Sequence, residues 1–204
     1  MLLLLAVSAT QAADPVEAWH TVDPSARFGS VQLTAHTQFR WRAHTPVNTG
    51  EMPRVAYFRA GPMAQIALPG VTLHAGYWYQ DAHRNSADWE DSQRVFAGAE
   101  RDLVRGVRTR GLWEYFFAAS RPSFHRYRHL LRFGKESDGW SPLGSCEVFF
   151  DARGAAALRP LASLRHNVGT RARVELGYFF DWRRGDVGGP RHVLFTTLRL
   201  QLRQ

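Results

Sequence analysis

The chain has 204 residues, enough for one domain, and carries a net charge of +8 at pH 7 with a pI near 10.5. Arginine supplies nearly all of the positive charge, since Lys135 is the only lysine, and the arginines are spread along the chain. This distribution argues against a nucleic-acid-binding protein. A single cysteine, Cys146, excludes an intrachain disulfide. No segment after the N-terminus approaches the roughly 18 apolar residues of a transmembrane helix.

Residues 1–13 predict a signal peptide. Leu2 to Val7 forms an apolar core, and the small and polar segment Ser8 to Ala13 offers a cleavage site after Ala12 or Ala13. Residues 14–29 then predict a short periplasmic lead-in that contains Trp19. A plug and an additional barrel strand are the alternatives for this segment.

Residues 30–204 repeat one pattern, in which apolar and polar side chains alternate. In the segment 171–182 one set of alternate side chains is apolar and ends in aromatics, whereas the other set carries paired opposite charges. Alternation of this kind indicates β-strands with one apolar and one polar face. The predicted strands are Val31–Arg42, Arg54–Leu68, Val71–Gln80, Gln93–Arg101, Val107–Ala119, Ser123–Phe133, Ser145–Arg153, Leu158–Asn167, Arg171–Trp182 and Arg191–Arg203.

A signal peptide followed by strands of spanning length predicts an outer-membrane protein. We therefore expect an all-β fold, a single antiparallel transmembrane up-and-down barrel of about ten strands, with twelve as the alternative. An even count places both termini in the periplasm, with the tight turn at Pro69-Gly70 on that side and the longer links after Arg42, Gln80 and Trp182 outside the cell. Gly134 to Gly144 is predicted to be a loop.

Several segments resemble a family of bacterial outer-membrane barrels catalogued only as a domain of unknown function. The resemblance covers most of the mature chain and implies fold and location, with no activity attached to the family. It rests on Trp19, Phe39-Arg40, LHAGYWYQ at Leu73–Gln80, RTRGLWEYFF at Arg108–Phe117, RYRHLLRF at Arg126–Phe133, VELGYFFDW at Val174–Trp182 and the last strand with His192.

The polar faces of the strands predict a lumen rich in arginine, with fewer acids to balance it. Two interpretations follow: a plugged barrel held by internal salt bridges, or a narrow pore in which fixed guanidinium groups favour anions. The predicted lumen-lining residues are Arg40, Arg59, Arg110, Glu114, Arg126, Arg128, Arg132, Glu147, Arg173 and Glu175.

Two other functions stay open. An outer-membrane lipid hydrolase would use Ser123 with His125, or His36, His74 or His166 near an acid, although no catalytic or zinc motif surrounds these residues. A soluble periplasmic ligand-binding barrel would instead turn its apolar faces inward. We expect a monomer without enzymatic activity, cofactor, metal or nucleic-acid partner. Its expected partners are membrane lipid, lipopolysaccharide and the barrel-assembly machinery.

Overall fold

A computed structural model describes residues 16–43, 54–83, 89–118, 121–134, 137, 139–184 and 190–203, which form eleven strands and no helix. Accordingly, no helix in these ranges is long and apolar enough to cross a membrane. The strands are β1 Val16–Phe28, β2 Val31–Ala43, β3 Arg54–Leu68, β4 Val71–His83, β5 Trp89–Val104, β6 Val107–Ala118, β7 Arg121–Gly134, β8 Trp140–Asp151, β9 Gly154–Val168, β10 Ala172–Arg183 and β11 Arg191–Arg203.

The eleven strands of the described residues close into one barrel, in which strands that follow one another in the chain are neighbours. All of these sequential pairs are antiparallel. The barrel is closed by β1 and β11, which pair in parallel from Val16 opposite His192 to Ala26 opposite Arg203. An odd number of up-and-down strands requires this parallel closure, because the first and last strands run in the same direction.

The predicted all-β barrel is confirmed, but its strand number is eleven in the described residues, neither ten nor twelve. The difference lies in residues 14–29, which were predicted to be a separate periplasmic lead-in. Val16–Phe28 is a wall strand that pairs on both sides. The odd count also corrects the placement of both termini at one end, since Val16 and Arg203 lie at opposite ends of the barrel.

The connections fall into two groups. One end, here called the turn end, carries the connections 29–30, 69–70, 105–106, 135–139 and 169–171. The opposite end, the loop end, carries 44–53, 84–88, 119–120, 152–153 and 184–190. Gly70 has a φ of 76°, which only glycine adopts without strain, so Pro69-Gly70 turns tightly. β8 begins at Trp140, so the loop predicted over Gly134–Gly144 shortens to 135–139.

The barrel has an apolar exterior, and its interior combines charged groups with two apolar clusters around Trp19 and Trp78. Large apolar side chains, such as Leu33, Trp113 and Leu176, are exposed on the outer face, where Leu194 is 58 % exposed. The interior buries many charged groups. The buried charged residues are Glu17, His36, Arg59, Arg94, Glu114, Glu147, Arg165, Glu175 and Asp181. This is the orientation of the faces expected from the sequence, and the reverse of a soluble ligand-binding barrel.

The predicted signal peptide at residues 1–13 lies outside the described residues.

Candidate functional site

The interior contains a cavity of about 2370 Å³ whose lining reaches both ends of the barrel. Arg184 and Asp151 line it at the loop end, and Arg27 and Gln201 line it at the turn end. Among the described residues, seventeen arginines line the cavity, against six carboxylates. The alternation of each strand produces this lining, because every second side chain points inward.

Glu114 on β6 is the centre of the charge network in the wall. Its side chain is fully buried and contacts arginines from both neighbouring strands. Arg94 Nη1 donates to Oε1 at 3.0 Å, Arg126 donates to Oε2 at 2.6 Å, and Arg128 Nη1 lies 3.5 Å from Oε1. A buried carboxylate is tolerated only when it is paired in this way.

The network continues around the barrel. Arg128 also donates to Glu147 on β8, and Arg159 on β9 contacts Glu147 at 3.2 Å. Arg159 then contacts Asp181 on β10 at 3.1 Å, and Arg183 contacts the other oxygen of Asp181 at 2.8 Å. One chain of ion pairs therefore links strands β5 to β10, which fastens their inner faces together.

A second arrangement, here called the arginine–aromatic belt, surrounds the lumen. In it, guanidinium groups lie against aromatic rings from strand to strand, within the half of each strand nearer the loop end. The belt comprises Trp19, Arg40, Tyr57, Arg59, Trp78, Arg94, Phe116, Arg126, Phe149, Arg159 and Phe179.

On strands β1 to β4 the belt is made by two arginines. The Arg40 guanidinium lies 3.5 Å from the Trp19 ring centre and 3.9 Å from that of Tyr57. The Arg59 guanidinium lies 4.0 Å from the Trp78 ring centre. Aromatic faces attract cations, with an energy of about 2 kcal/mol or more when the pair is desolvated.

On strands β4 to β8 the same alternation continues. Arg94 lies 4.1 Å from the Trp78 ring centre and 5.1 Å from that of Phe116. Arg126 lies 4.7 Å from both Phe116 and Phe149. Arg94 Nε and Nη2 have no hydrogen-bond partner among the described residues, so the two ring faces supply their stabilisation.

The belt closes on itself across β9, β10 and β1. Arg159 lies 4.8 Å from Phe149, 4.9 Å from Phe179 and 5.2 Å from Trp19. Trp19 meets Phe179 edge to face at 4.6 Å, and Val193 of β11 packs beneath them with no exposed surface. The ring therefore has members on strands β1 to β10, and Val193 supports it from β11.

The ten lumen-lining residues predicted from the sequence all project from interior positions, and the structure divides them into two groups. The group in the belt or in the ion-pair chain comprises Arg40, Arg59, Glu114, Arg126, Arg128 and Glu147. The group toward the turn end comprises Arg110, Arg132, Arg173 and Glu175.

Eight belt residues were not among the predicted lumen-lining residues, and Arg159 and Trp19 show why. The eight are Trp19, Tyr57, Trp78, Arg94, Phe116, Phe149, Arg159 and Phe179. Arg159 lies in β9, where the apolar face is interrupted by Pro160 and alanines and the alternation is therefore weak. Trp19 was assigned to the lead-in, although it shares one face of the segment with Glu17 and Thr21, which could have indicated an inward position.

The chain matches the family described as "Protein of unknown function (DUF2490)" over residues 16–188. It belongs to this family. The match runs from β1 into the connection before β11, so the belt and the ion-pair chain lie within it. No curated protein and no solved structure matches the chain.

His36 and His125, two of the histidines considered above for a catalytic site, each contact other side chains in this DUF2490 barrel. His36 lies 2.7 Å from Asp23 through Nδ1, and its Nε2 accepts from Arg59. His125 accepts from Trp113 Nε1 at 3.2 Å and projects with Ser123 from the outer face of β7. Within the described ranges, no three His, Cys, Asp or Glu side chains are grouped so as to hold a metal ion.

We expect Arg59→Lys to lower the free energy of unfolding of the DUF2490 barrel by about 2 kcal/mol. Lysine lacks the planar fork that donates to His36 and Gln38 while stacking on Trp78. Urea titration of the refolded protein measures the change. The matched control is Arg101→Lys at an exposed position, which should change stability by less than about 0.5 kcal/mol. Equal effects of the two substitutions would show that the stacking has no role.

Proposed function

We propose that the protein is a monomeric barrel of the bacterial outer membrane that forms a narrow passage for small anionic solutes. The observation that carries the proposal is the reversal of the usual faces, with charge inside and large apolar side chains outside. A contiguous apolar exterior of this kind is unfavourable in water and favourable in lipid.

The outer aromatic residues support the membrane location. Trp41, Trp113 and Trp182 are exposed on the outer face, and all three lie in the half of their strands nearer the loop end. Tryptophan and tyrosine favour the membrane interface, because their rings are apolar and carry one polar group. The proposal implies contacts with membrane lipid and lipopolysaccharide, insertion by the barrel-assembly machinery and export by the signal peptide at residues 1–13.

The cavity supports the passage. Its lining includes residues at both ends and passes the arginine–aromatic belt, which forms the narrowest part of the lumen in this proposal. Arginines exceed carboxylates along it, so the fixed field favours negative solutes over positive ones. The belt holds its guanidinium groups in place by stacking, and no rearrangement is needed when a solute arrives.

The test is single-channel conductance of the refolded protein in planar bilayers. The ion preference is taken from the reversal potential in a salt gradient. We expect discrete current steps with anion preference. Arg40→Gln should reduce that preference, because it removes a fixed charge from the belt. Arg105→Gln, at an exposed turn outside the lumen, should leave it unchanged.

Two results would contradict the proposal in different ways. Insertion into bilayers without current steps would leave a sealed barrel with a structural role. Failure to enter bilayers, together with the absence of a heat-modifiable band on gels, would overturn the membrane location itself.

A further inference from the structure

The turn-end half of the lumen has more arginines than carboxylates, and these arginines lie outside the ion-pair chain. Its carboxylates among the described residues are Asp23, Glu100 and Glu175, together with Asp102 at the rim, which pairs with Arg108 at 2.8 Å. Its arginines number eight, namely Arg27, Arg108, Arg110, Arg132, Arg165, Arg171, Arg173 and Arg199. In the loop-end half, by contrast, Glu114, Glu147 and Asp181 each contact two or more arginines.

Glu175 on β10 organises this half. It accepts hydrogen bonds from Ser163 at 2.9 Å and from Arg165 at 3.2 Å, and it is buried. Arg132 from β7 and Arg199 from β11 also act electrostatically on the same carboxylate. Arg165 therefore pairs with Glu175 directly, whereas Arg132 and Arg199 line the same half of the cavity from β7 and β11 without contacting this carboxylate.

Two of these arginines, Arg132 and Arg199, have no close carboxylate partner in the described part of the chain to balance their charge. Arg132 forms no ion pair within the described residues. Arg199 lies 3.9 Å from Asp23, whose other oxygen is bound by His36. In register, Arg132 faces Arg108 and Arg199 faces Arg173. Like charges directly opposite each other on neighbouring strands are destabilising. Arg108 is paired with Glu100 and Asp102. The less neutralised charges are therefore those of Arg132 and Arg199, which favour a bound negative charge.

We propose that this half of the lumen binds a small oxyanion with two or more negative charges, of the phosphate class, between Arg132 and Arg199. The inference deepens the proposed function and rests on it for the route by which the solute reaches the lumen. A phosphate group offers several acceptor oxygens, which match the forked donors of two guanidinium groups. Chloride offers a single charge and no geometric match to the forks.

The site is open to a solute from the turn end. The Arg199 side chain is 41 % exposed, and both Arg132 and Arg199 line the cavity. The Arg110 Nε atom, on the strand next to Arg132, is buried without a hydrogen-bond partner among the residues that the structure describes. Binding of an anion here supplies the counter-charge that the described carboxylates of this half do not.

Isothermal titration with inorganic phosphate tests the site, using the full chain refolded in zwitterionic micelles at low salt. We expect saturable binding that chloride does not compete away at equal concentration. Arg132→Gln and Arg199→Gln should each weaken binding about tenfold or more, because each removes a charge-assisted contact. Arg105→Gln, in the exposed turn between β5 and β6 and outside the cavity lining, should bind like the unchanged protein.

A second measurement separates binding from a structural role. In phosphate-free buffer, Arg132→Gln should unfold at the same temperature as the unchanged protein or higher, because it relieves repulsion. Phosphate should then raise the unfolding temperature of the unchanged protein more than that of the variant. A lower unfolding temperature of the variant in phosphate-free buffer would assign Arg132 a structural role and overturn the site.

The remaining outcomes are equally decisive. No saturable binding, or equal binding by both variants and the unchanged protein, would overturn the site. Binding of a short-chain lipid phosphate without binding of inorganic phosphate would also overturn it, since the ligand would then be a lipid headgroup. Phosphate binding in micelles is measured without any ion current. A barrel that binds phosphate but does not conduct would therefore contradict only the proposed passage and leave the binding site standing.

Discussion

Glu114→Gln is expected to lower the free energy of unfolding by about 3–5 kcal/mol, the cost of breaking a buried ion pair from one side. Glu114 is fully buried and balances Arg94, Arg126 and Arg128. Glutamine keeps the shape but removes the charge, so three converging guanidinium groups lose their shared partner. Urea titration of the protein refolded in phosphatidylcholine vesicles, followed by tryptophan fluorescence, measures the loss.

Glu100→Gln is the matched control for this substitution. Glu100 also pairs with an arginine on the neighbouring strand, but the Arg108 side chain is 48 % exposed. Exposed ion pairs contribute about 0–1 kcal/mol, so this variant should unfold almost like the unchanged protein. If Glu114→Gln cost no more than Glu100→Gln, the ion-pair chain would not be a main source of stability.

Leu176→Arg is expected to destabilise the barrel in a bilayer by about 2–4 kcal/mol. Leu176 lies on the outer face near the middle of β10 and is 43 % exposed. In the proposed orientation its side chain meets the hydrocarbon core, where a guanidinium group is unfavourable. The difference in unfolding free energy between variant and unchanged protein in vesicles gives the cost.

The control is Leu103→Arg, since Leu103 is similarly exposed but lies beside the turn between β5 and β6. Arginine near a membrane interface costs about 0–1 kcal/mol. On a water-exposed face both substitutions would change the free energy of unfolding by no more than about 0.5 kcal/mol. A small effect of Leu176→Arg in vesicles would therefore contradict a lipid-facing wall.

Much of the wall could be predicted because alternation is a local property. Arg54–Leu68 and Arg191–Arg203 have the same bounds in the structure as in the prediction. The faces of these strands follow from the two-residue period, which needs no knowledge of the partner strands. β1 was not assigned as a wall strand, because Trp19 on the polar face, His20 on the apolar face and Pro24 weaken its alternation. Its pairing with β2 and β11 is fixed only by closure of the barrel.

The site was predicted as a set of inward residues without its arrangement. The inward position of Arg126 follows from its alternation with Tyr127, but its contact with Glu114 depends on the register of β6 and β7. Arg159 joins Glu147 to Asp181 because β9 lies between β8 and β10. Such contacts cannot be inferred from one strand alone.

The amino-acid sequence by itself therefore determined that the chain forms β-strands, which side chains face each way and that arginine dominates the inner face. Only the tertiary structure decided the strand number, the parallel closure, the continuous arginine–aromatic belt and the ion pairs that link neighbouring strands. The physical reason is that the side of the wall to which a side chain points depends only on the alternation within its own strand. Contacts around a barrel depend on register and closure, which involve residues far apart in the chain.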